Sequence, residues 1–161
     1  MSNNGIALPD LPESVTLSAK EMESGEVRVR IAHAASGLSA CITSNAEHHG
    51  AEGWQNSHRH LTDMKETYVV QEGWLVVVTL DEITTTPLFE KYEAGSVFTL
   101  SGGAAHNVYV SAGTVFATMK HGSREGRNDW KSAPELDALL VDVGPEDFEH
   151  LRPRKPIPSW A

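Results

Sequence analysis

The sequence predicts an all-β domain, a sandwich or barrel, with short helices confined to its C-terminal end. Two observations predict this. Short runs rich in Val, Tyr, Phe and Thr follow one another between single or paired glycines, and the first helical pattern appears only near residue 132. A third observation, a His-X-His pair at His58 and His60, points to chemistry inside that sheet structure.

Residues 1–24 are read as an N-terminal arm, because the first fourteen are rich in Asn, Gly, Pro and Ser. Residues 25–121 are read as the barrel. Glu26 to Ile31 alternates, with Val27, Val29 and Ile31 on one face, and Leu38 to Thr43 forms a second run. Glu66 to Val70 and Trp74 to Leu80 flank Gln71-Glu72-Gly73, a turn whose glycine tolerates positive φ. Leu88 to Tyr92, Ser96 to Leu100, His106 to Val110 and Thr114 to Lys120 complete the strands, with Gly95, Gly102-Gly103 and Gly113 between them. Residues 122–161 are read as a helical extension and tail. There Ser132-Ala133-Pro134-Glu135 has the form of a capping box, and Leu136, Leu139 and Leu140 share one helical face. A second short helix is expected from Pro145, with Phe148 and Leu151 as its apolar contacts. Both helices are expected to pack on the outside of the barrel or on a neighbouring subunit.

Composition narrows the function. The chain of 161 residues suits one domain, and 40% hydrophobic with 22% charged residues is ordinary for a soluble protein. A net charge of −9 argues against nucleic acid, whose phosphates need clustered Lys and Arg. No apolar run approaches the ~18–20 residues that span a bilayer. The lone Cys41 and the absence of a secretory pattern fit a reducing, cytoplasmic setting. Arg152, Arg154 and Lys155, set among prolines, read as a solvated or docked tail.

On a strand, residues two apart point the same way, so the imidazoles of His58 and His60 converge while Arg59 faces away. Glu66 opens the next strand and can bring a carboxylate toward them. Asp63 is the other acid in that stretch; Glu66 is preferred because a strand-like Tyr-Val-Val follows it. His106 joins them only if the chain folds back within one barrel.

This pattern resembles the cupin superfamily. Its first motif is matched by Gly53, His58, His60, Glu66 and Gly73, and its second by Gly95, Gly103 and His106. Four residues separate Gly53 from His58 and five separate His60 from Glu66, where the motif has five and three or four. Ser101 and Val110 stand where the second motif has proline and asparagine. The resemblance covers roughly residues 25–121 and implies a double-stranded β-helix, or jelly-roll, barrel of the small single-domain, RmlC-like kind. It implies one divalent transition metal on His58, His60, Glu66 and His106, iron being the leading candidate, with Mn, Ni or Zn as the others. Three neutral imidazoles and one carboxylate would leave the ion a net charge of about +1, with two positions open if it is six-coordinate.

Tyr68 shares strand parity with Glu66, and Val108 with His106; with Phe98 they are expected to line a substrate cavity. The expected function is that of a metal-dependent enzyme on a small organic molecule, foremost an iron-type dioxygenase. A non-redox isomerase, cyclase or lyase, and a non-catalytic ligand-binding module, are the alternatives. A homodimer is expected, because the arm and the extension exceed a minimal barrel and such barrels commonly pair through sheet edges.

Overall fold

The computed structural model describes residues 12–22, 25–33, 39–45, 52–61, 63–81, 83–122 and 129–154. Among them the strands are β1 (Val15–Glu21), β2 (Val27–His33), β3 (Ser39–Asn45), β4 (Gly53–Trp54), β5 (His58–His60) and β6 (Lys65–Glu72). There follow β7 (Trp74–Leu80), β8 (Pro87–Glu93), β9 (Val97–Ser101), β10 (His106–Val110), β11 (Thr114–His121) and β12 (Trp130–Ser132). They form two antiparallel sheets, one ordered β1-β2-β3-β11-β6-β9 and the other β12-β5-β10-β7-β8, with β4 beside β10. From β5 onward the chain passes back and forth between the sheets, which makes the structure a jelly roll with short C-terminal helices.

Alternation along each strand places the core. Tyr68, Val70 and Phe116 from the first sheet meet Leu75, Val77, Tyr92, Val108 and Val110 from the second, with Phe98 and Leu100 packed against them. Full burial of a side chain such as Phe116 contributes about 1.5–3 kcal/mol. In β7 both faces are buried. Leu75 and Val77 look into the roll, while Val76, Val78 and Leu80 look outward and are covered by the C-terminal segment.

That covering is the helix α1 (Pro134–Leu140) and the 3-10 turn Pro145–Phe148. Leu136 and Leu140 pack on Val78, Leu80 and Ala105, and Phe148 packs on Val76 and Tyr109. Leu139 is exposed, so the buried helical stripe is narrower than the sequence suggests. The Trp54 indole N–H ties the cover down by donating to the carbonyl of Val143 at 2.9 Å. Arg154 is docked as well, its backbone N–H on the carbonyl of Lys91 and its guanidinium on Glu90.

One sequence expectation changes, the capping box at Ser132. The stretch read as an arm carries a strand, β1, which pairs with β2 along its whole length. Ser132 does not cap α1: it is still extended and opposite His58 in the β5 ladder, so Ala133 takes the N-cap position without a side-chain bond. Gly73 is the turn glycine expected, and the runs on either side of it lie in different sheets. Gly73 has φ +69°, and a Cβ on it would stand 2.5 Å from Thr114 Oγ1 and 2.9 Å from Thr114 Cα, so only glycine allows that crossing. Cys41 is half-buried and lines a cavity.

Candidate metal centre

The second sheet carries three histidines to one place. β5 pairs with β10 so that His58 lies opposite His106, and their ring centroids are 4.4 Å apart. His60, two residues along β5, points the same way, its ring 5.6 Å from that of His106. Glu66 comes from the facing sheet, on β6, and is 2% exposed. One ligand atom from each of His58, His60, Glu66 and His106 lies within 4.8 Å of the others. The site thus joins the two sheets at one end of the roll. Asp63 is exposed and stands outside this cluster.

The outer nitrogens of the three rings are all engaged. His58 Nδ1 lies 2.9 Å from the carbonyl of Asn56, and His106 Nδ1 lies 3.1 Å from that of Ala104. A carbonyl only accepts, so in both rings Nδ1 carries the proton and Nε2 presents its lone pair. His60 Nδ1 lies 2.6 Å from Asp129 Oδ2, a buried carboxylate that imposes the same tautomer.

The inner nitrogens then converge. Nε2 of His58, His60 and His106 is buried in each case without a hydrogen-bond partner. His60 Nε2 and His106 Nε2 approach the Glu66 carboxylate at 3.2 and 3.5 Å. Three buried, unprotonated nitrogens around one carboxylate would be costly without a further partner, and a divalent cation supplies it. The donor set therefore fits a divalent transition metal.

Charge is arranged to match. Burial, and after it the neighbouring His106, push the His58 imidazole down to about 4, so it is uncharged at neutral pH as a ligand must be. Burial alone would raise Glu66, but hydrogen bonds from His106 and His60, when those rings donate from Nε2, and the Lys120 ammonium outweigh it and hold the carboxyl well below the usual range. Where the rings turn lone pairs on an ion instead, the ion's charge acts on the carboxylate in their place. Tyr68 donates its hydroxyl to Glu66 Oε2 at 2.7 Å, and Lys120, opposite Glu66 in the β6–β11 ladder, contacts Oε1. Burial first, and then the Glu66 anion, keep the Tyr68 phenol protonated well above its ordinary value of 10.

The centre opens on one side into a cavity of about 180 Å³. Its lining includes His58, Glu66 and Tyr68 with Arg28, Lys120 and Trp130. Of the three residues expected to line a substrate cavity, Tyr68 is in the lining of this one. Phe98 stacks on Tyr68 at 4.9 Å and backs it, and Val108 is buried in the core below. Asp129 and Trp130 were not anticipated. Trp130 stacks on His58 at 5.6 Å, and the β12 pairing that places it follows a stretch without strand signal in the sequence. Glu47, His48 and His49, considered for the mouth of the site, lie outside the described residues.

No protein-family model matches this chain, and no curated protein matches it by sequence. Solved structures do match. Oxalate decarboxylase from Bacillus subtilis superposes with a TM-score of 0.57 at 13% identity, covering 92% of this chain and 41% of that one. The formate complex of Lactobacillus farciminis oxalate decarboxylase gives 0.56 at 13% identity, over 92% and 46%. A Bacillus subtilis oxalate decarboxylase structure concerned with its Mn(II) centres gives 0.56 at 13%, over 92% and 42%. At this identity the likeness is one of fold, and the chain spans less than half the length of those proteins. The chain has the cupin fold. Its His-His-Glu-His cluster is consistent with a cupin-fold domain that holds a divalent metal ion.

Proposed function

We propose that this chain is a metal-dependent cupin enzyme acting on a small organic molecule, an oxidoreductase of the dioxygenase type with iron as its metal. The observation that carries the reading is the set of three buried Nε2 atoms turned on Glu66, with one side open to a cavity. When bound, the metal supplies a Lewis acid with positions for substrate and oxygen. The chain's own residues do the rest. Asn56, Ala104 and Asp129 hold the three rings by their outer nitrogens, and Tyr68 and Lys120 hold the carboxylate by its two oxygens. The apolar residues beneath Tyr68 keep bulk water from the far side of the cluster.

A second reading has a specific support. One matched oxalate decarboxylase structure is described by its Mn(II) centres, so manganese in place of iron is the second reading, with a non-redox isomerase, cyclase or lyase reaction. Elemental analysis of the chain expressed without added metal, followed by oxygen-electrode assays with small acids, thiols and aromatics, separates the two. Iron with substrate-dependent oxygen uptake supports the first. Manganese with turnover but no oxygen uptake replaces it by the second.

The chain works as a homodimer in the cytoplasm in this reading. An apolar row on the outer face of the first sheet, Ala19, Val29, Ile42, Ala117, Val69 and Val97, uncovered among the described residues, supports the dimer. The single cysteine supports a reducing compartment, and among the described residues no helix is long and apolar enough to cross a membrane.

A further inference from the structure

The cavity before the metal centre has an unusual charge pattern for a chain of net charge −9. Arg28, Arg30 and Lys120 line it, and Glu66 is the sole carboxylate among its lining residues. The sheet register explains why. With Val27, Val29 and Ile31 turned outward, Arg28 and Arg30 alternate onto the inner face of β2, opposite Thr43 and Cys41. Lys120 reaches the same face from β11.

Two of the three cations are already compensated. Arg28 donates from Nε and Nη2 to Glu26 Oε2 at 3.1 and 2.7 Å, and Gln55 holds the other Glu26 oxygen at 3.2 Å. Lys120 is on Glu66. Arg30 has no carboxylate partner among the described residues, and it is an exposed side chain at the cavity wall. The guanidinium of Arg30, and the charge of an ion held by the cluster, would therefore both be left over at one cavity.

We propose that this cavity recognises a small carboxylate anion, with Arg30 as the residue that reads the carboxylate. The proposal rests on the reading of the four-residue cluster as a metal site, and it names the substrate class of that site. A guanidinium presents paired N–H donors that match a carboxylate's two oxygens. A neutral or purely aromatic ligand filling the same space would strip water from Arg30 without replacing it. At about 180 Å³ the cavity is smaller than the ~300–1,000 Å³ of sites for drug-sized ligands, which suits an acid of a few carbons.

Isothermal titration with malonate and its neutral diamide, malonamide, tests this. Both are titrated into the Mn(II)-loaded and the chelator-treated chain, in the wild type, Arg30→Gln and Arg30→Lys, with metal content measured on each sample. Malonate is expected to bind the wild type at least about tenfold more tightly than malonamide, a difference that charge-assisted hydrogen bonds readily supply. Arg30→Gln is expected to lose about tenfold or more of malonate affinity with or without metal, and Arg30→Lys to recover part of it. Equal binding of the two probes, malonate affinity unchanged by Arg30→Gln, or no malonate binding in either state overturns the proposal. A chain that takes up no divalent metal overturns the proposed function instead, and the chelated samples still decide the role of Arg30.

Discussion

Asp129 Oδ2 stands 2.6 Å from Nδ1 of His60, so a carboxylate, an imidazole and the Glu66 carboxylate lie in line through one buried ring. The remote carboxylate fixes the ring and its tautomer, so that Nε2 faces the inner side as a metal donor. Asp129→Asn is expected to leave the fold intact and weaken metal affinity about 10–100-fold. Competition against a fluorescent chelator, with circular dichroism as the fold control, measures this. Unchanged affinity would mean that Asp129 does not orient the site.

Glu66 and Asp63 make opposite predictions. Glu66 is buried within the cluster and Asp63 is exposed outside it. Glu66→Ala is expected to reduce metal affinity by well over tenfold and Asp63→Ala to leave it within about twofold, the ordinary range for a surface change. If Asp63→Ala were the more damaging, the carboxylate ligand would have been misassigned.

All three tyrosines of the chain are held protonated. Burial is the first cause in each: with the Glu66 anion it raises Tyr68, with Glu90 it raises Tyr92, and with Glu52 it raises Tyr109 to about 12. Above pH 10 the unfolded chain has lost phenolic protons that the folded chain keeps, so stability is full below pH 10 and falls as pH rises past it. Absorbance at 295 nm is expected to show no tyrosinate near pH 10, and then a rise that coincides with loss of the far-ultraviolet dichroism signal. A phenol that titrates near pH 10 in the folded protein would contradict this.

Ile42 sits in the centre of the uncovered apolar row and is 46% exposed. A stable pair needs about 800 Å² from each partner, which a six-stranded face can provide. Sedimentation equilibrium is expected to give the mass of two chains for the wild type and of one for Ile42→Asp. A wild type that is monomeric at micromolar concentration would remove this face as an interface.

Much of the fold was legible because its signals are local. The runs that became β6, β7, β10 and β11 are dense in β-branched and aromatic residues and are bounded by glycines, and the parity that converges His58 with His60 is a property of any strand. What escaped depends on partners far away in the chain. β1 gains its order from β2, and β12 from β5, so neither needs a strong pattern of its own. The alternation of β2 was plain, but which face looked inward was not. Valines on one side suggest a core, whereas the core lies on the arginine side, because the valine side belongs to a broad apolar face that no element among the described residues covers. Asp129 gave no signal at all: its role comes from a β12–β5 pairing that brings it beside a residue sixty-nine positions earlier.

The most direct test of the metal centre is elemental analysis of purified wild type beside His106→Ala, with dichroism on both. The wild type is expected to hold about one transition-metal ion per chain and His106→Ala to hold almost none while keeping its β-sheet spectrum, since ligand removal empties a site that the roll itself does not need to fold. Equal metal in the two proteins, or no metal in a correctly folded wild type supplied with iron, manganese, nickel and zinc, would contradict it.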